Sequence, residues 1–182
     1  MPKNTPFPVP PQPANALDDA LTKSLSTWAV PGMVFFADLS VAVGAPQEVG
    51  NTGQGFRRVI PIVGGSARGV GWAARVLPGG ADFQLVVSPS QALLDARYCL
   101  ETDGGDLIYV HNRAMRNGPA ALMQRLLAGE LLSPTESAQI YFRCTPTFET
   151  ACPALLWINE RLFVGTGARL PGSVEMRFFE LN

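Results

Sequence analysis

The sequence predicts a mainly all-β protein, a sandwich or a barrel, on three observations. About nine short runs rich in Val, Ile, Phe, Tyr and Leu follow one another from Met33 onward. GG, PGG, DGG and PG punctuate them, as tight turns between antiparallel strands do. A single stretch in this span has helical grammar. The runs are VFFADLSVAVG, RRVIPIVGG, DFQLVV, LLDARYCLET, DLIYVHN, IYFRCT, ALLWIN, RLFVGTG and VEMRFFEL.

The elements are justified in chain order. Residues 1–14 hold Pro2, Pro6, Pro8, Pro10, Pro11 and Pro13, so this arm is expected to be extended or disordered, inert or lying across a neighbouring subunit. A helix is expected over 15–30. Asn15 can cap it, Asp18 and Asp19 suit its first turn, and Leu17, Leu21, Leu25 and Trp28 form one stripe. The strands then occupy a single domain over 31–182. It is interrupted at 117–130, where Pro119, the Leu122 and Leu126 pair and Gly129 mark a short helix.

The chain has 182 residues, 47% apolar and only 16% charged, with a net charge of −1. Balanced charge without a basic stripe argues against nucleic acid as a partner. So few charges leave apolar surface to be covered, and a homo-oligomer is the simplest cover. Cys99, Cys144 and Cys152 are an odd number without CxxC spacing, which suits reduced thiols in a cytoplasmic protein. No run is long and apolar enough for a membrane helix, and the prolines interrupt any secretion signal.

Chemistry has to come from the polar residues inside strands. Alternation places Asp82 and Gln84 on one face and Phe83, Leu85 and Val87 on the other. It likewise separates Leu94, Ala96, Tyr98 and Leu100 from Asp95, Arg97, Cys99 and Glu101. In IYFRCT it separates Tyr141, Arg143 and Thr145 from Phe142 and Cys144. It sets Trp157 and Asn159 against Leu156 and Ile158. Charged strand residues such as Asp95, Arg97 and Glu101 usually face solvent. In a small barrel, however, a polar face can line a ligand cavity. Alternation does not say which face is inside.

GGSARG and PGGAD match neither a P-loop nor a dinucleotide fingerprint and read as hairpin or bulge turns, so no cofactor is expected. His111 is the only histidine, which leaves no metal-ligand spacing; a Cys144 or Cys152 nucleophile with His111 as base has no supporting motif. The candidates that remain are Asp82 and Glu149 for proton transfer and Arg143 for stabilising negative charge, with Tyr98 and Trp157 as cavity walls. The competing account is a buried Arg143–carboxylate pair that sets strand register.

Five motifs in order, GFRRVIPIVGG, VLPGGADFQ, LDARYCLETDGGDLIYVHNR, YFRCTPTFET and WINERLFVG, resemble the family known as domain of unknown function thirty-two thirty-seven, over about residues 33–182. The resemblance implies an antiparallel β-barrel, generally oligomeric, without an established activity. The family's polar positions correspond to Asp82, Arg97, Tyr98, Arg143, Glu149, Trp157 and Asn159. Phe83 stands where the family often has Trp, and Cys144 where it often has Thr. With the resemblance, the expectation is an antiparallel barrel of about eight or nine strands that binds a small organic molecule. Asp82, Glu149 and Arg143 would act on it as a cofactor-free isomerase, lyase or hydratase, or cyclase. Gln84, Arg97, Tyr98, Trp157 and Asn159 would bind the substrate. The alternatives are a non-catalytic carrier and a structural oligomer with a filled barrel.

Overall fold

Strand-forming runs of Val, Ile, Phe and Leu pair in the computed structural model into ten antiparallel strands, described for residues 29–182. They are β1 (Met33–Val43), β2 (Gln47–Thr52), β3 (Gly55–Gly69), β4 (Trp72–Val76), β5 (Gly80–Ser88), β6 (Gln91–Thr102), β7 (Leu107–Asn117), β8 (Tyr141–Thr150), β9 (Phe163–Leu170) and β10 (Ser173–Leu181). Eight of them close a barrel in the order β1, β10, β9, β8, β7, β6, β5, β3, and β3 returns to β1. β2 and β4 are additions, β2 on β3 and β4 bridging β3 and β6. The proline-rich arm expected over 1–14 lies outside the described residues. So does the helix expected over 15–30, save Ala29 and Val30, which are not helical.

Closure makes inside and outside unambiguous, and the period-2 pattern then sorts every strand. Along β8, Phe142, Cys144 and Phe148 are buried while Tyr141, Arg143, Thr145 and Glu149 are exposed. Two apolar clusters pack inside the barrel. The larger centres on Phe36, whose ring centroid is 5.4 Å from Trp72, 5.1 Å from Phe148 and 4.7 Å from Phe163. The smaller joins Leu94 and Phe142 to Met123, Leu126 and Leu132. Met123 and Leu126 come from an eight-residue helix, α1 (Ala120–Leu127), inside the stretch whose sequence reads as helical. A second short helix, α2 (Pro134–Ser137), begins at a Ser133–Glu136 capping box.

One strand assignment is corrected. ALLWIN is not a strand but part of a 3₁₀ helix, Pro153–Glu160. Pro153 presets its first turn, and the buried side chains Leu155 and Ile158 recur every third residue, which is the 3₁₀ repeat. Asn159 ties its end back to β8 by accepting from Thr150 N at 2.8 Å and donating to Thr150 O at 2.9 Å.

Candidate functional site

Asp82 owes its position to the turn before it. Gly79 has φ +107°, a left-handed conformation that glycine adopts without penalty. At Gly80 a Cβ would lie 2.4 Å from the Arg97 carbonyl oxygen, so only glycine lets β5 approach β6 this closely. Two residues on, Asp82 pairs with Ala96 of β6 and Ile60 of β3 and points into the barrel. Gln84 follows on the same face, while Phe83 and Val87 are exposed on the outer wall. On β5 the polar face is inside.

Asp82 opens into a cavity between the two apolar clusters. Its apolar walls include Val41, Ile60, Leu94, Phe142, Val174 and Met176, and its polar lining is Asp82, Gln84, Tyr98, Asn112 and the guanidinium groups of Arg58, Arg116 and Arg169. The enclosed space is narrow, about 40 Å³ or room for a few waters, and the hollow counted out to its open mouth is about 630 Å³.

The polar lining is incompletely paired. Asp82 Oδ1 accepts from the Asp95 N–H at 3.0 Å. Arg58 donates to the Leu127 carbonyl at the C-terminal end of α1, at 3.4 Å. Asn112 Nδ2 lies 3.3 Å from Met176 Sδ. Among the described residues, Arg58 Nε, Gln84 Oε1, Tyr98 OH, Asn112 Oδ1 and Arg116 Nε are buried without a hydrogen-bond partner. All five belong to residues that line this one cavity. A dry, unsatisfied polar atom costs about 1–3 kcal/mol, and a domain's whole stability is about 5–15 kcal/mol. All five such atoms among the described residues fall on this one cavity, so whatever pairs them has to come from inside it.

Burial governs the acid–base properties. Loss of solvation pushes the Asp82 carboxyl from 3.8 up to about 6, against the opposing pull of the Asp95 N–H, Arg116 and Arg58. The Arg116 guanidinium is pushed down to about 10, again chiefly by burial, and stays charged at neutral pH. Burial raises the Tyr98 phenol, which remains a neutral hydrogen-bonding group.

The remaining candidates stand elsewhere, and the expected Asp82–Glu149–Arg143 constellation is corrected. Arg143 and Glu149 are an even number of residues apart on β8, and that face is the outer wall. The Arg143 guanidinium donates to the Phe142 carbonyl at 2.9 Å and Thr166 Oγ1 at 3.0 Å, and stacks over Tyr141. Arg97, offered as a substrate ligand, is also outside, 3.2 Å from Asp95 Oδ1. Trp157 lies at the aromatic end of the barrel, edge-on to Phe36 at 5.7 Å, and Asn159 is a structural clasp. Of the proposed binding residues, Gln84 and Tyr98 line the cavity. The pairing of a Cys144 nucleophile with His111 fails on geometry and chemistry. Cys144 is buried inside with its thiol pushed up to about 12, whereas His111 binds Asp95 Oδ1 at 2.9 Å by its Nε2. Among the described residues, no three His, Cys, Asp or Glu side chains gather where a metal ion could sit, and no helix is long and apolar enough to cross a membrane.

The residues that sequence reasoning missed are Arg58, Asn112, Arg116 and Arg169. Their signal was alternation: Arg58 shares a face with Ile60 and Ile62, and Asn112 and Arg116 share one with the core residues Ile108 and Val110.

Comparison with known proteins agrees with the fold. The family model described as "Protein of unknown function (DUF3237)" matches residues 31–181. The chain belongs to this family. A UPF0311 protein of Rhodopseudomonas palustris is 42% identical over 131 residues, 72% of this chain and 84% of the relative. A β-barrel-like protein from Acinetobacter baumannii, 36% identical, superposes with a TM-score of 0.74 over 86% of this chain and 99% of its own. A Penicillium herquei protein described as an enzyme shares the fold alone, at 16% identity and TM-score 0.61 over 85% of this chain and 96% of its own.

Proposed function

We propose that the barrel binds a small organic molecule in the Asp82 cavity and catalyses a proton-transfer reaction on it without a cofactor, with Asp82 as the acid–base group. The observation that carries this reading is the convergence of five unpartnered buried polar atoms on the cavity that holds a carboxyl with a pKa of about 6. A group poised near neutral pH can both give and take a proton, and such groups contribute about 10²–10⁴-fold to rate. The apolar walls would hold the carbon skeleton, and Arg58 and Arg116 would stabilise an enolate-like oxygen as it develops. Isomerisation, elimination or hydration, and cyclisation through an enolate all fit this set of groups. The description of the Penicillium herquei protein as an enzyme agrees with catalysis on this barrel.

The test is native mass spectrometry of the purified protein, followed by turnover assays on the co-purifying molecule. Conversion by the natural protein and a loss of at least about 100-fold in Asp82→Asn are expected. Full turnover in Asp82→Asn removes the mechanism, and an unchanged co-purifying molecule with no conversion favours a carrier.

A further inference from the structure

The charge inside the cavity is out of balance. Three guanidinium groups, from Arg58 on β3, Arg116 on β7 and Arg169 on β9, meet one carboxyl, Asp82. Arg58 and Arg116 are 5% and 3% exposed, and Arg169 is half-buried. No salt bridge within 4.0 Å neutralises any of them among the described residues. Glu48 of β2 acts on Arg58 only through space. Arg116 lies over the Phe142 ring, 6.0 Å from its centroid, with Nε unpartnered. Arg169 donates to the Ser173 and Leu170 carbonyls, which hold its side chain without cancelling its charge. The arginines also act on one another. Arg58 and Arg169 each make Arg116 a weaker base, as like charges do at short range. A buried excess of two positive charges, with Asp82 ionised, is costly in a mostly apolar space.

We propose that the cavity selects small organic oxyanions, carboxylates or enolates with an apolar body, over neutral and cationic molecules of the same shape. The oxyanion accepts from the free Arg58 and Arg116 Nε–H groups and from the Tyr98 hydroxyl, each buried and without another acceptor. Gln84 Oε1 and Asn112 Oδ1 accept from a hydroxyl or other donor on the ligand. The carbon body lies on Leu94, Phe142, Val174 and Met176. This rests on the ligand-binding reading above and adds the charge of the ligand.

Calorimetric titration of the full chain with acetate, isobutyrate and benzoate, each beside its neutral amide, tests it. A parallel titration with 4-nitrophenol, whose absorbance reports its ionisation, represents the enolate class. Carboxylates are expected to bind at least about tenfold more tightly than their amides, as charge-assisted pairing to a buried arginine implies. 4-Nitrophenol should bind as its anion if enolates are the better match, and only weakly if carboxylates are. Arg116→Gln should remove the preference by weakening carboxylate binding far more than amide binding. If that variant does not fold, Arg169→Gln at the half-buried position should narrow it. Amides binding as well as carboxylates, or a preference that survives both substitutions, overturns the inference and leaves the ligand-binding reading standing. If no molecule of either kind binds, both fall.

Discussion

Around Phe36 the barrel interior is closed by rings. Phe36, Trp72, Phe148, Trp157 and Phe163 touch one another within centroid distances of 4.7 to 6.2 Å. Elsewhere in the interior, β3, β5 and β7 turn Arg58, Asp82, Gln84, Asn112 and Arg116 inward, and the packing opens into a cavity. Both regions obey the same alternation of side chains. The aromatic end stabilises the barrel by burial and edge-to-face contact. The cavity wall instead carries polar groups that find no partner within the protein. The lesson is that the tightly packed aromatic cluster and the polar cavity are separate parts of one interior, so substitutions at the two places should move in opposite directions.

The largest expected effect is at the aromatic end. Phe36→Ala removes a ring in contact with four others and should cost about 3–5 kcal/mol, read as a lower urea midpoint. An unchanged midpoint would mean that the aromatic cluster is not what holds the barrel.

Asp82→Asn should do the reverse. Because the folded carboxyl has its pKa raised from 3.8 to about 6, the folded state holds the proton more tightly than the unfolded state. Stability from this group is therefore greatest below about pH 4 and declines as pH rises through about 6, by about 3 kcal/mol in all. The asparagine variant escapes that decline. It should melt above the natural protein at pH 8 and lose the advantage at pH 4. The charged and titratable neighbours in this comparison are Arg58, Arg116, Arg169, Tyr98 and Asp95, with His111 bonded to Asp95 on the outer wall. His111→Asn should leave the difference between Asp82 and its asparagine variant intact.

Asn159→Ala should cost about 1–2 kcal/mol by releasing two hydrogen bonds to Thr150, with no change in ligand binding. The smallest effects belong to the outer wall. Glu149→Gln should alter stability by less than about 0.5 kcal/mol and Arg143→Gln, which gives up two hydrogen bonds, by up to about 1 kcal/mol, and both should leave turnover unchanged. A loss of turnover in either would bring the outer face of β8 back into the chemistry.

These contrasts also explain what was legible in the sequence. The strands were visible because a barrel strand buries alternate residues whatever lies inside it. Asp82 was visible because Gly79 and Gly80 announce a turn beside a carboxylate in an otherwise apolar run. Arg116 was not, since the apolar pattern of DLIYVHN breaks at Asn112 where the strand turns polar on its inner face, and β7 in fact continues to Asn117. Arg169 was lost in the same way, beyond the end of RLFVGTG on β9. A functional cavity interrupts the hydrophobic signal that sequence reading follows. Arg143 and Glu149 misled for the complementary reason: they alternate correctly, and only the direction of barrel closure tells which face is outside.

The most direct test is the titration of Asp82 itself, followed through its side-chain carboxyl ¹³C resonance between pH 3 and 9, with Asp82→Asn to assign it. A midpoint near 6 is expected from its burial in the cavity. A midpoint at or below about 4, the ordinary carboxylate value, would mean that Asp82 is solvated or fully paired and would contradict the proton-transfer role.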